Sequence, residues 1–255
     1  MRKLALFLIV LGFSFSLHAD FVTGERAFSN KRYSEALQQF RPLAEAGDFR
    51  AQYYMAYMYL NGYGVTRNDA LGLEYLQKSL DQNYHLAQAL MGFLYSRGEV
   101  VPADYKKAIS LYQKAADQGN TSAMLNLGVA YYLGDGVPRN LVRAVELLEK
   151  IPVDQQPAAG RYLGDIYMTR NAEKVDQAIN AYRSAAAAGD LPSYVALAEI
   201  YQKDLLLFTN LQSIPVVLRM YVFRFWRSRA DLSAELILRL VILLSVSTLV
   251  IRYTA

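Results

Sequence analysis

The sequence predicts an all-α fold, a solenoid of stacked helical hairpins, because one pattern recurs through most of its 255 residues. Each copy has a small residue, an aliphatic residue four places later, Gly or Ala next, and Tyr three places further on. The closing tyrosines are 36, 36, 36 and 34 residues apart, at Tyr59, Tyr95, Tyr131, Tyr167 and Tyr201. Such a period is typical of arrays of helix pairs, which usually present a binding surface instead of catalysing a reaction.

Helix A of the first complete repeat is predicted from Phe49 to Asn61. Ala51, Met55 and Tyr59 fall at i, i+4 and i+8, which places them on one face of a helix. Ala56 lies beside that face, and the residues at equivalent positions are equally small: Gly92, Gly128, Gly164 and Ala198. Glycine within a helix costs about 1 kcal/mol relative to alanine, so its recurrence predicts that a neighbouring helix approaches closely here.

A glycine loop separates helix A from helix B, as in the stretch Gly62-Tyr63-Gly64-Val65. Glycine ends a helix readily because it adopts positive φ. The B helices are expected to follow N-caps at Asn68, Asp104 and Asn140. Two irregularities are also predicted. Asn83 replaces a helix-ending glycine and adopts the left-handed conformation, and residues 151–157 end one helix B early.

Two segments precede the complete repeats, which are predicted to occupy residues 49–204. Residues 1–19 combine a basic start, an apolar stretch from Leu4 to Leu17 and a small residue, Ala19, which predicts a cleaved secretory signal peptide. The apolar stretch is shorter than the roughly 20 residues that a membrane span needs. Residues 20–48 are predicted to form a lead hairpin.

The composition excludes several kinds of catalytic and metal site. The chain has no cysteine, so it has no disulfide, thiolate nucleophile or zinc-thiolate centre. Its two histidines are His18 and His85, and His18 falls in the predicted signal peptide. One histidine is too little for a His-based metal site or a Ser-His-Asp triad. We therefore expect no metal, no cofactor and no enzymatic activity; a small hydrolase is the alternative class.

The formal net charge of +4 resides at the two ends of the chain. Residues 1–19 hold +2 and residues 205–255 hold +4, which leaves −2 for residues 20–204. Nucleic-acid binding depends on a basic surface that neutralises phosphates. The slightly acidic repeat region therefore argues against a nucleic-acid partner.

Several motifs coincide in register over five copies: Ala-x-x-x-Leu-Gly-x-x-Tyr, Gly-x-Gly-Val, a second helix with Ala-x-x-x-Tyr, and Lys-Ala-Ala-x-x-Gly. Together they resemble the Sel-one-like repeat (SLR) family, a relative of the TPR, with the best match between Ala108 and Gly136. The lead hairpin is more similar to a plain TPR, through Tyr33, Ala36 and Phe40. The resemblance implies a right-handed α/α solenoid used for protein–protein contacts. It also implies that secreted bacterial members act as scaffolds in polysaccharide export, flagellar motors or virulence.

On each helix A, two positions point away from the predicted core face and are candidate contacts for a protein partner. In successive repeats these residues are Tyr53 and Tyr57, Ala89 and Phe93, Leu125 and Val129, and Arg161 and Asp165. One interpretation is a groove that changes from aromatic and apolar to charged, since exposed aromatic side chains are common anchors of protein interfaces. The other is that curvature buries these side chains between adjacent repeats.

Residues 205–255 depart from the repeat and are apolar and arginine-rich, without a lysine. Three interpretations are open. The stretch Leu232–Ile251 suits a membrane anchor, interrupted by Glu235 and Arg239. A cap packed on the last repeat is suggested by leucines at helical spacing, Leu236, Leu240, Leu243 and Leu244. The abrupt change of composition suits an altered reading frame.

The repeat indicates the type of function, and the signal peptide indicates the compartment. Together they predict a non-catalytic adaptor or assembly scaffold that is secreted across the inner membrane to the periplasm of a Gram-negative bacterium. Its expected partner is another envelope protein. The alternative is an organiser of an envelope machine that is attached to the membrane through residues 205–255.

Overall fold

The computed structural model describes residues 19–170 and 174–210, and all regular secondary structure in these residues is helical, without a strand. This confirms the all-α prediction. The helices are α1 (Phe21–Ser29), α2 (Tyr33–Glu45), α3 (Phe49–Asn61), α4 (Asp69–Asp81), α5 (His85–Arg97), α6 (Tyr105–Asp117), α7 (Thr121–Leu133), α8 (Leu141–Leu148), α9 (Pro157–Arg170), α10 (Val175–Ala187) and α11 (Leu191–Asn210).

The helices fall into two compact units that divide after Asn140. In the first unit, which holds α1 to α7, each helix packs on the next along the chain. The A helices α3, α5 and α7 each have 13 residues and begin at Phe49, His85 and Thr121, so their starts are 36 residues apart. The helix predicted from Phe49 to Asn61 is confirmed.

Side-chain caps and left-handed residues define where these helices begin and end. Asn68 Oδ1 accepts a hydrogen bond from the Leu71 amide at 3.0 Å, which begins α4 as expected. Gly62, at the end of α3, has a φ of +72°. Asn83 has a φ of +61°, which confirms that asparagine takes over the helix-ending role of glycine between α4 and α5.

The close approach predicted at the small position of helix A is also present. A Cβ added to Gly92 in α5 would lie 2.9 Å from Cδ1 of the buried Tyr112 in α6. Real Cβ contacts this short essentially do not occur. Glycine therefore stands at this position because an aromatic ring occupies the space of its side chain.

The second unit holds α8 to α11, and here too each helix packs on the next. α8 ends at Leu148 after 8 residues, which confirms the early end expected before residues 151–157. α11 runs for 20 residues and continues beyond position 204, where the repeat pattern stops in the sequence. Asp204 stands where the A helices of the first unit have their terminating glycines, Gly62, Gly98 and Gly134, so no glycine ends α11 at the equivalent position.

Two predicted segments lie mostly outside the described residues. The predicted signal peptide overlaps them only at residue 19, and the predicted tail only at residues 205–210, which continue α11. None of the helices described is long and apolar enough to cross a membrane.

Candidate protein-binding surface

Six candidate contact residues of the first unit occupy equivalent places on three A helices. They are the fifth and ninth residues of α3, α5 and α7, and we call them the A-helix surface: Tyr53, Tyr57, Ala89, Phe93, Leu125 and Val129. None of the six is buried. Phe93 is the most open of them, with 45% of its surface exposed. These residues therefore take equivalent positions on the three helices, as their spacing in the sequence predicted. The structure leaves all six at least partly accessible.

The two tyrosines of α3 are both packed and accessible. The ring centroid of Tyr53 lies 5.7 Å from that of Tyr84, at the start of the next helix A, and 6.2 Å from that of Tyr57. Tyr57 in turn lies 6.0 Å from Phe28 of the lead hairpin. Tilted and edge-to-face rings at these distances attract one another, so the contacts hold both side chains in place while part of each ring remains exposed. Partial burial raises the pKa of Tyr53 to about 12.

Tyr54 belongs to the same aromatic cluster but was not identified from the sequence. Its ring stacks on Phe40 with centroids 4.5 Å apart, and its hydroxyl donates a hydrogen bond to Glu25 Oε1 at 2.9 Å. Burial, followed by the Glu25 carboxylate, raises the pKa of Tyr54 well above its usual value. The side chain thus links α3 to both helices of the lead hairpin. The abundance of tyrosine, 20 in the chain, was the available signal, but it does not single out one of them.

Charge is distributed unequally between the A and B helices of the first unit. Of the Asp, Glu, Lys and Arg residues, α3 has only Arg50, α5 has only Arg97 and α7 has none. Each of the B helices α2, α4 and α6 has three or four. Arg50 pairs with Asp48 at 2.7 Å and Arg97 pairs with Glu99. The A helices therefore offer an aromatic and apolar surface whose two cations already have acidic partners.

The two charged candidates of the second unit are engaged within that unit. Asp165 of α9 accepts a hydrogen bond from the Tyr182 hydroxyl at 2.7 Å. The Arg161 guanidinium lies 4.3 Å from the centroid of the Tyr162 ring, and its Nε is 3.5 Å from Asp190 Oδ2. Their charges thus help to hold the repeat together. Their predicted role in binding a partner is a separate matter that these contacts leave as a prediction.

Comparison with known proteins agrees with the repeat boundaries. Residues 49–84, 85–120 and 121–151 match the Sel1 repeat model, and these three segments begin where α3, α5 and α7 begin. Residues 49–151 are therefore three Sel1 (SLR) repeats, as the motifs of this region predicted. Sel1-repeat proteins generally mediate protein–protein interactions and are in general non-catalytic scaffolds.

Two solved structures extend the similarity beyond the matched repeats. One is a protective antigen present in uropathogenic Escherichia coli strains that displays an SLR fold. It is 29% identical, with a TM-score of 0.60, over 66% of this chain and 36% of its own length. The other is a Sel1 repeat protein from Oxalobacter formigenes, 25% identical with a TM-score of 0.66 over 72% of this chain and 74% of its own. The chain thus spans little more than a third of the Escherichia coli protein.

Proposed function

We propose that this chain is a periplasmic adaptor that binds another protein of the cell envelope through the A-helix surface. The observation that carries the proposal is the combination of the exposed Phe93 and other partly exposed aromatic and apolar side chains with the near absence of charge on α3, α5 and α7. A solvated helix face without a partner normally carries charged residues, as the B helices do here.

The chemistry of this surface favours an apolar protein partner. Removing apolar surface from water stabilises a complex by about 25 cal/mol per Å², whereas removing an unpaired charge from water is costly. Phe93 has both a large side chain and high exposure, which are the properties of residues that dominate interface energetics. We therefore expect Phe93 to make the central contact with a partner protein that binds this surface.

Phe93 and Tyr105 form a matched pair for testing the surface. Both are aromatic, with 45% and 49% of their surfaces exposed, but Phe93 lies on helix A and Tyr105 begins the B helix α6. A photo-reactive phenylalanine analogue is placed at one of the two positions in the full chain, in its native cells. Cross-linking then reports which protein contacts helix A at position 93 or helix B at position 105. We expect one discrete cross-linked product from position 93 and none from position 105.

A substitution gives the experiment an energetic readout. Phe93→Asp places a charge in the proposed contact and should weaken binding to the cross-linked partner by at least about 2 kcal/mol, whereas Tyr105→Asp should leave it unchanged. Equal cross-linking from the two positions, or equal affinity of the two variants, would contradict the proposed surface.

The proposed compartment is tested independently of the surface. Osmotic shock should release the protein with an N-terminus near Asp20, because cleavage after Ala19 removes the leader. Recovery of the chain from the cytoplasm with Met1 still present would rule out the periplasm and leave the binding surface open to the cross-linking test.

A further inference from the structure

The fourth residue of helix A is covered in three repeats by the helix B that follows it in the chain. Gln52 is 4% exposed and accepts a hydrogen bond from the side chain of Gln82, the C-cap of α4, at 2.9 Å. Gln88 is 2% exposed and accepts the same bond from Gln118, the C-cap of α6, at 2.8 Å. In the second unit, a Cβ on Gly160 would lie 3.0 Å from Ala185 of α10. A contact between the fourth residue of helix A and the last part of helix B therefore recurs in these three repeats.

The equivalent residue of α11 is uncovered. Tyr194, the fourth residue of α11, is 42% exposed. Leu191 and Val195 on either side of it are 73% and 59% exposed. The opposite side of α11 packs on α10 through Leu197 and Ile200, which are buried. We call Leu191, Tyr194 and Val195 the open face of α11. It arises because no helix B follows α11 within the part of the chain that the structure describes.

We propose that the open face of α11 is covered by a segment of the chain's own residues 211–255. In the repeats above, the covering helix is always the next part of the chain. The loop and helix B that cover α3 occupy Gly62–Asp81, which is 20 residues, and 45 residues follow Asn210. Those residues include leucines at helical spacing, such as Leu236, Leu240 and Leu243. These leucines are apolar and therefore suit the open face, whose three side chains carry no charge.

The absence of cysteine from the chain allows a direct test in the full-length protein. A thiol is introduced by Tyr194→Cys, and its rate of reaction with a water-soluble maleimide is measured and divided by the rate of the same variant in denaturant. The control is Val142→Cys on α8, where the native side chain is 51% exposed. We expect the thiol at position 194 to react at least about tenfold more slowly than that at 142, which means that the face is open less than a tenth of the time.

A second variant and a cross-linking map keep the proposal falsifiable. The thiol of Leu191→Cys should also react slowly with maleimide. This second variant leaves Tyr194 unchanged, so it controls for any disruption of α11 that Tyr194→Cys causes. A photo-reactive phenylalanine analogue at position 194 should form intramolecular cross-links to residues 211–255. Equal thiol rates at 194 and 142 would overturn the proposal. Protection that grows with protein concentration would overturn it in favour of a second copy, and protection only with phospholipid vesicles in favour of a membrane.

Discussion

Gly92 and Tyr112 show how single residues set the separation of helices A and B. The same combination recurs in the second unit, where a Cβ on Gly164 would lie 2.5 Å from Cε1 of Tyr182. The hairpin of α3 and α4 has Ala56 in place of the glycine, and its core cluster includes Leu76, which corresponds to Tyr112. In these three hairpins, glycine on helix A goes with tyrosine on helix B, and alanine goes with leucine.

Substituting Gly92 tests this match against helix propensity. Gly92→Ala should gain about 1 kcal/mol from helix propensity. The new methyl group also overpacks against the Tyr112 ring, which should cost about 1–3 kcal/mol. We expect this cost to exceed the gain in helix propensity. We therefore expect a lower free energy of unfolding, measured by denaturant titration.

The double variant supplies the control for that substitution. In the Tyr112→Leu background, which recreates the Ala56 and Leu76 combination, Gly92→Ala should be neutral or stabilising. An increase in stability from Gly92→Ala alone would show that the ring does not hold the position and would contradict the match.

Glutamine side chains connect the elements of adjacent hairpins. Besides accepting from Gln82, Gln52 donates to the carbonyl oxygen of Ala44, near the end of α2, at 3.2 Å. Gln88 donates to Asn83 Oδ1, just after α4, at 2.6 Å. Each buried glutamine therefore joins the end of the preceding helix B to the end of its own. A side-chain amide suits this position because it donates and accepts at the same time.

Removing one of these glutamines should weaken the packing of the hairpins. Gln88→Ala loses both hydrogen bonds, each contributing about 1 kcal/mol, so the free energy of unfolding should fall by about 2 kcal/mol. Gln77→Ala is the matched control, because Gln77 is exposed on α4 and bonds only within its own helix, to Asp81 Oδ1 at 2.7 Å. It should change stability by less than about 0.5 kcal/mol. Similar losses for both variants would contradict a connecting role for Gln88.

At the scale of the whole molecule, the expected character of binding depends on the segregation of charge to the B helices of the first unit. The proposed contact involves no unpaired cation or anion of α3, α5 or α7. Salt screens interactions between exposed charges but has little effect on the burial of apolar surface. Raising the salt concentration from about 0.05 to about 0.5 M should therefore change the Kd for the cross-linked partner by less than about threefold.

Substitution of the B helices provides the comparison for this measurement. Lys114→Ala on α6 removes an exposed charge away from the proposed contact and should leave both the Kd and its salt dependence unchanged. A steep loss of affinity with salt would show that charged residues, and not the A-helix surface, carry the interaction.

The candidate surface could be located from the sequence, but the packing of its residues could not. The spacing predicted that Tyr53, Ala89 and Leu125 take equivalent positions, and the starts of α3, α5 and α7 bear this out. Their contacts depend on residues that are distant in sequence: Tyr53 contacts Tyr84, which lies 31 positions later in the chain. Sequence periodicity predicts which residues share one face of a helix, but it does not predict which side chains of a neighbouring helix contact that face.

The sequence by itself determined the all-α class, the helices from Phe49 to Asn61 and their successors, the left-handed Asn83 and the early end of α8. These features follow from local causes, namely apolar periodicity, capping side chains and glycine placement, each acting over a few residues. Only the tertiary structure decided that Gly92 faces Tyr112, that Tyr54 turns to the lead hairpin and that one face of α11 is open. Those outcomes depend on which helices meet, and contacts between helices join residues that the chain keeps far apart.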